Sequence, residues 1–266
     1  MLTVISPAKK LDWTRSAPEG VVTTEPDFLD QANILAGHAR ALSLAELKAL
    51  MSLSDKLAQL NRDRFRDFSA DPSDADTRPA ALAFAGDTYT GLDAPSLDAE
   101  ALDWAQRRLG ILSGLYGLLR PLDVIQPYRL EMGSKLKSRR GGTLYAFWGD
   151  RLSKALNARA RDTGSDAVLN CASQEYFRAV DPAALEPRVI TPAFLEAEGD
   201  RPPRMISFHA KKARGALARW VIDNRVTDPA DIAGFDRGGY ALDSDRSEPD
   251  TPVFVRHVPA RARADA

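Results

Sequence analysis

Four short segments of this 266-residue chain carry the residue types that hold anions: Ser6-Pro7-Ala8-Lys9-Lys10, Gly86-Asp87-Thr88-Tyr89, Gly133-Ser134-Lys135-Leu136-Lys137 and His209-Ala210-Lys211-Lys212-Ala213-Arg214-Gly215. Glycine and small polar residues leave backbone amides accessible, and lysine or arginine beside them adds charge, so such segments can converge on phosphate oxygens. Lys9 follows the first apolar run directly, and lysine at a strand end can hold phosphate as a point charge. A structural ion pair with Asp12 or another carboxylate is the alternative. In residues 128–140, Arg129, Lys135, Lys137, Arg139 and Arg140 have only Glu131 as a nearby acid, which makes this the strongest basic patch in the chain. For Arg139 and Arg140, beside Gly141-Gly142, a solvated loop is the plainer reading. Lys211, Lys212 and Arg214 sit where a strand is expected to run into a helix; they either reinforce an amide-rich helix start or form a plain helix surface. Tyr128 can stack on a base, or pack in the core with its hydroxyl bonded.

Acids interleaved with these cations raise a second possibility. Asp55, Asp87, Glu131 and Glu175 are the carboxylates available for general acid/base work, with Asp87 and Glu131 the catalytic candidates if the chain is an enzyme. No nucleophile–base pair, Walker loop or GxGxxG announces a reaction class, and the same carboxylates can instead pin the basic segments by salt bridges. Cys171 is the only cysteine, so no intrachain disulfide can form and a reducing cytosol is the expected compartment. Within an apolar strand it reads as a small buried hydrophobe rather than a peroxide-sensing thiolate. His38, His209 and His257 are far apart and lack HxxH, HExxH or CxxC spacing, so neither a metal site nor a cofactor is expected.

With 36 basic and 37 acidic residues the net charge is −1, so any polyanion site must be local rather than a property of the whole surface. The 44% hydrophobic and 27% charged content is that of an ordinary globular domain able to bury a core. Met1–Ser6 has no basic n-region or long apolar run, and nowhere do 18 apolar residues run together, so neither a signal peptide nor a membrane helix is expected.

The elements that must position these segments can be read from pattern. Leu2–Ser6, Ala81–Phe84, Ala167–Cys171, Val189–Ile190, Met205–Phe208 and Val253–Val255 read as strands. Ser43-Leu44-Ala45-Glu46 is a capping box that starts a helix, a second helix runs from Ser54 to near Asp71-Pro72, and a third enters through Trp148-Gly149-Asp150. From Ser96 as N-cap, Leu102, Ala105, Leu109 and Leu112 recur at helical spacing and predict one amphipathic helix. Gly86–Gly91 reads as a loop, and Asp228-Pro229 as an N-cap with proline at the first position. The strands and helices interleave without a regular βαβ rhythm. This predicts a mixed α/β (α+β) fold, a mixed sheet surrounded by helices, as a single domain over 1–258 with a C-terminal tail over 259–266.

Ile5–Asp12, Ser54–Ala58, Gly86–Leu92, the run LSGLYGLLRPLDVIQPYRLEMG from Leu112 to Gly133, Tyr145–Asp150 and Ser207–Gly215 together resemble the YaaA family of bacterial peroxide-stress proteins. The resemblance spans Met1 to about Val255. It implies a single mixed α/β domain, a cytoplasmic role in limiting oxidative and free-iron damage, and DNA binding through a positively charged cleft with a helix-hairpin-helix-like element. Such hairpins grip phosphates without reading sequence, because a tight glycine turn exposes amides at the start of a second helix. Gly114 and Gly117 are the candidates for that turn, although two residues separate them where the usual hairpin has one and Pro121 truncates any helix from Leu118. They can equally end a helix and permit close packing. The expected contacts are therefore Lys9, Gly114, Gly117, Arg129, Lys135, Lys137, Lys211, Lys212 and Arg214, on DNA chosen by structure rather than sequence, with no membrane and no stable protein partner. An enzyme acting on a nucleotide or nucleic-acid base in the same cleft is the alternative.

Overall fold

Leu2-Thr3-Val4-Ile5 is buried at every position, as a strand covered on both faces must be, and it forms the centre of the main sheet. The structure is a computed structural model describing residues 1–73, 76–199 and 201–259. Its strands are β1 (Leu2–Ile5), β2 (Lys10–Leu11), β3 (Arg78–Pro79), β4 (Phe84–Ala85), β5 (Leu109–Ser113), β6 (Gly117–Leu119), β7 (Val124–Ile125), β8 (Ala167–Cys171), β9 (Arg188–Ile190), β10 (Ala193–Glu198), β11 (Tyr240–Leu242) and β12 (Val253–Val258). Its helices are α1 (Leu29–Arg40), α2 (Leu44–Met51), α3 (Asp55–Asp67), α4 (Ala80–Ala83), α5 (Asp87–Leu92), α6 (Ala99–Arg108), α7 (Leu144–Trp148), α8 (Arg151–Asp162), α9 (Gln174–Phe177) and α10 (Ser207–Asp223). The fold is mixed α/β in one compact body, as expected. Among the described residues no helix is long and apolar enough to cross a membrane. Of the tail expected over 259–266, residues 260–266 lie outside the described residues.

The main sheet has the order β6-β5-β1-β8-β9. β1 runs parallel to β5 and to β8, β8 runs parallel to β9, and β6 returns antiparallel to β5. The chain leaves β1 toward β5 on one side and comes back to β8 on the other. The carboxyl ends of β1 and β8 therefore flank a crevice where the strand order switches direction, the place where open α/β sheets bind ligands. A second sheet, β10-β12-β11, pairs Phe194 with Phe254 in register and stacks their rings at 5.5 Å. Glu196, buried in this sheet, accepts from Arg256 at 2.5 Å and Tyr240 at 3.2 Å, and lies 2.5 Å from His209 Nδ1 near the start of α10.

Helix α10 packs across α5 with almost nothing between the two backbones. A Cβ added to Gly215 would meet the Thr88 carbonyl oxygen at 1.8 Å, and one added to Gly91 would meet the Lys212 carbonyl oxygen at 2.1 Å. The capping box at Ser43 is formed: the hydroxyl accepts from Glu46 N–H, and the Glu46 carboxylate accepts from the Ser43 hydroxyl and the Ser43 N–H, which hold the Glu46 carboxyl below its ordinary range. Ser54 caps α3 in the same way.

Several pattern-based expectations are corrected. Ala81–Phe84 is not a strand: Ala80–Ala83 is one helical turn, favoured by its four alanines, and only Phe84–Ala85 pairs as strand, with β2. Gly86–Gly91 is no loop but the start of α5, closed by Thr90 N–H on the Gly86 carbonyl at 2.8 Å. The helix predicted from Ser96 starts instead at Asp98, whose carboxylate caps Ala101, and stops at Arg108. Leu109 and Leu112 continue its spacing but belong to β5, because parallel pairing with β1 takes over at Leu109. Met205–Phe208 does not form a strand; Met205 and Phe208 are 61% and 55% exposed, and α10 begins at Ser207. The segment Ser113–Gly117 joins two antiparallel strands rather than two helices. A tight turn between packed helices occurs elsewhere, at Ser52-Leu53-Ser54 between α2 and α3, where Ser52 takes the left-handed conformation (φ 51°) usually given to glycine and Leu53 is buried.

Gly215→Ala is expected to destabilise the chain by about 3 kcal/mol, since the new methyl overlaps a main-chain oxygen that cannot move independently. Gly37→Ala, in open space inside α1, is expected to stabilise it by about 0.5–1 kcal/mol. Thermal melts of both variants check the pair: shifts of the same sign would remove the distinction between a packing glycine and a merely helical one.

Candidate functional site

The carboxyl ends of β1 and β8 open into a cleft of about 530 Å³. Its walls come from four separate stretches: Ser6 to Lys10 after β1, Ala85 to Thr88 entering α5, Cys171 to Tyr176 after β8, and Lys211 with Arg214 on α10. Ser6 stitches the two strand ends together, accepting from Ser173 N–H at 2.8 Å and donating to the Ser173 hydroxyl at 3.3 Å. Tyr89 donates to the Ser6 carbonyl at 3.2 Å, which ties α5 to the same point.

Four cations line the cleft: Lys9, Lys10, Lys211 and Arg214. Lys211 and Arg214 are one turn apart on α10 and face the same way. Arg214 is half-buried and forms no hydrogen bond or ion pair with any described residue; burial holds its guanidinium below its ordinary range, against a small opposing pull from Cys171. Cys171 lies beneath it, 1% exposed, with its thiol pushed up to about 12 by burial despite the nearby guanidinium. Two acids share the wall. Asp87 is the first residue of α5, and Glu175 at the rim accepts from the Gly133 N–H at 3.0 Å.

Lys9 reaches Glu131 Oε1 at 3.2 Å, and the same oxygen accepts from Arg129 at 2.9 and 3.0 Å. The other oxygen of Glu131 is buried without a hydrogen-bond partner. Arg129 in turn lies near Arg64 of α3, whose guanidinium is held below its ordinary range by burial and then by Arg129. A path of cations thus leads from the α2–α3 pair through Arg64, Arg129 and Lys9 into the cleft, with Glu131 set among them.

The structure brings together Lys9, Lys211, Arg214 and Asp87 in the cleft, with Arg129 and Glu131 adjacent through Lys9. Lys212 is exposed, but its carbonyl packs against Gly91 and its side chain is not on the cleft wall. Lys135 and Lys137 are exposed on the segment that leaves the rim at Gly133. Gly114 and Gly117 are a correction: both are buried, a Cβ on Gly114 would meet the Leu130 carbonyl at 2.3 Å, and the Gly114 carbonyl accepts from Trp148 Nε1. They pack the core and present no amides to a phosphate. Asp55 lies outside the site, paired with Lys48 at 2.5 Å. Tyr128 is a core residue, its hydroxyl 2.6 Å from Ser113 Oγ. Arg140 covers the Phe147 ring at 4.6 Å.

Ser173, Gln174 and Tyr176 are cleft residues that lie outside the basic segments, in the polar run Asn170–Tyr176, whose chemistry is richer than phosphate coating requires. Their sequence signal was a polar run directly after an apolar strand. Among the described residues no three His, Cys, Asp or Glu side chains gather as they would to hold a metal. What the cleft can do chemically is bind an anion, with two carboxylates near it.

The family model for peroxide stress protein YaaA matches residues 1–246. Similar proteins include a UPF0246 protein of Ruegeria pomeroyi, 62% identical over 256 residues, 96% of this chain and 98% of the relative. A UPF0246 protein of Roseobacter denitrificans is 62% identical over 98% of this chain and 100% of its own length. One from a Jannaschia species is 55% identical over 99% and 100%.

Cys171 is expected to react with Ellman's reagent at pH 8 at least about a hundred-fold more slowly in the folded chain than in denaturant, since burial removes both access and thiolate. Comparable rates would show that the cleft floor opens.

Proposed function

The chain belongs to the YaaA family of peroxide stress proteins, and from that premise we propose that it serves the hydrogen peroxide response as a cytoplasmic DNA-binding protein. It holds phosphates in the basic cleft at the ends of β1 and β8 and favours DNA structure over sequence. The observation that carries this reading is Arg214, a half-buried guanidinium with no ion-pair partner among the described residues, in the company of Lys9, Lys10 and Lys211. A charge withdrawn from water without a partner costs stability, and an incoming phosphate supplies the missing partner through charge-assisted hydrogen bonds. Arg64 and Arg129 extend the contact toward the α2–α3 turn, where the exposed Lys56 stands in the first turn of α3. Helping to limit free-iron damage belongs to the same proposal.

An enzyme acting on a nucleotide or base in this cleft is the second reading. It is favoured by the position of the cleft at the switch in strand order and by Asp87 and Glu175 on its wall.

Lys211→Ala and Arg214→Ala are each expected to weaken duplex binding about five- to tenfold near 0.1 M salt regardless of sequence, and to reduce the slope of log affinity against log salt by about 0.9. Fluorescence anisotropy at several salt concentrations measures both. Salt-independent binding would sink the reading. A nucleotide product that disappears in Asp87→Asn and Glu131→Gln, with DNA affinity retained, would transfer the function to the enzyme.

A further inference from the structure

A cleft of about 530 Å³ is too small for a duplex and falls within the range, about 300–1,000 Å³, of pockets that enclose one small molecule. Phosphate coating alone requires only an open basic surface. Here the cations sit in a recess that also has apolar and aromatic walls, among them Pro7, Ala8 and Tyr176. Arg214 is set deep enough in it to be half-buried.

The start of α10 carries a second feature. Phe208 precedes Lys211 by three residues on α10, so the two side chains are neighbours on the helix surface, about 4.5 Å apart along the axis, while Arg214 lies about 120° round the helix from Phe208. It is 55% exposed, next to Met205 at 61%. The ring packs on His209 with centroids 5.0 Å apart, and His209 Nδ1 lies 2.5 Å from Glu196 Oε1. The chain thus holds an exposed phenylalanine in the first turn of α10, one helical step from Lys211. Proteins that handle unstacked bases use this pairing of an aromatic platform with phosphate-binding cations.

We propose that the cleft receives a single unpaired or extruded nucleotide of the bound DNA, its phosphate on Lys211 and Arg214, while Phe208 stacks on the base that remains in the strand. The inference rests on the DNA-binding reading and adds the ligand of the recess. Selectivity follows from physics: a mismatched, damaged or unpaired nucleotide costs less to take out of the stack than a paired one. The protein would therefore favour irregular DNA without reading bases.

The test compares two duplexes carrying the same 2-aminopurine, one fully paired and one with that nucleotide unpaired. The expected result is about tenfold tighter binding of the unpaired duplex, with a change in 2-aminopurine emission on binding. Phe208→Ala, at an exposed position, should remove most of that preference with paired-duplex affinity unchanged within about twofold, and Phe208→Trp should restore it. Gln174→Trp, at an exposed wall position, should abolish the emission change by filling the cleft. Equal, salt-dependent binding of both duplexes without an emission change overturns the nucleotide inference and leaves the DNA-binding reading intact. So does equal loss on both duplexes in Phe208→Ala. Failure to bind either duplex overturns both, and binding of free nucleoside monophosphate alone assigns the recess to an enzyme.

Discussion

Gly91 and Gly215 let α5 and α10 meet main chain to main chain, and the arrangement of the cleft depends on that approach. Any side chain at either position would drive the helices apart, because the atoms it meets are carbonyl oxygens held in their own helical hydrogen bonds. α5 brings Asp87 and Thr88 to one wall, and α10 brings Lys211 and Arg214 to another. The same α10 is held at its start by the Glu196–His209 contact to the second sheet and packs along β1 and β8 of the first. One helix therefore carries cleft cations, the exposed Phe208 and the junction of both sheets.

The near-neutral charge of the chain conceals an uneven distribution. Much of the surface charge is neutralised locally, by pairs such as Arg66–Asp63, Arg107–Asp103, Lys154–Asp150 and Arg246–Asp243, three or four residues apart. Exposed pairs of this kind add little to stability but leave little field at a distance. The cleft breaks the rule. Cations from distant segments meet there, Arg214 has no described partner, and beside the cleft Glu131 pairs with both Lys9 and Arg129, with Arg64 near Arg129. Like charges held together at a cost to stability are understandable where a ligand of opposite charge completes them.

Peroxide chemistry has little purchase on the lone thiol of the chain. Cys171 is a wall residue of the cleft in name, yet it lies beneath Arg214 with almost no accessible surface, and burial keeps it protonated. Its position in β8, parallel to Ile5 of β1, makes it part of the packing that holds the two strand ends in place.

The sequence by itself determined the mixed α/β class, the fully buried β1 and β8, the capped starts of α2 and α3, and the residue types that meet in the cleft. These are decided by local chemistry: continuous apolar runs, hydroxyl and carboxylate caps, and lysine or arginine at element ends. Tertiary structure decided the rest. Leu109 and Leu112 have helical spacing but join a sheet, because the partner strand β1 is a hundred residues away and periodicity does not register it. Gly114 and Gly117 have the composition of a phosphate turn, and only the closeness of Leu130 and Trp148 identifies them as packing glycines. Ser52, without glycine's signature, takes the left-handed turn between two helices. Ser6 with Ser173, and Arg214 over Cys171, become neighbours only through the parallel pairing of β1 with β8 and the packing of α10 over them, and such long-range pairing leaves no mark on any one segment of the chain.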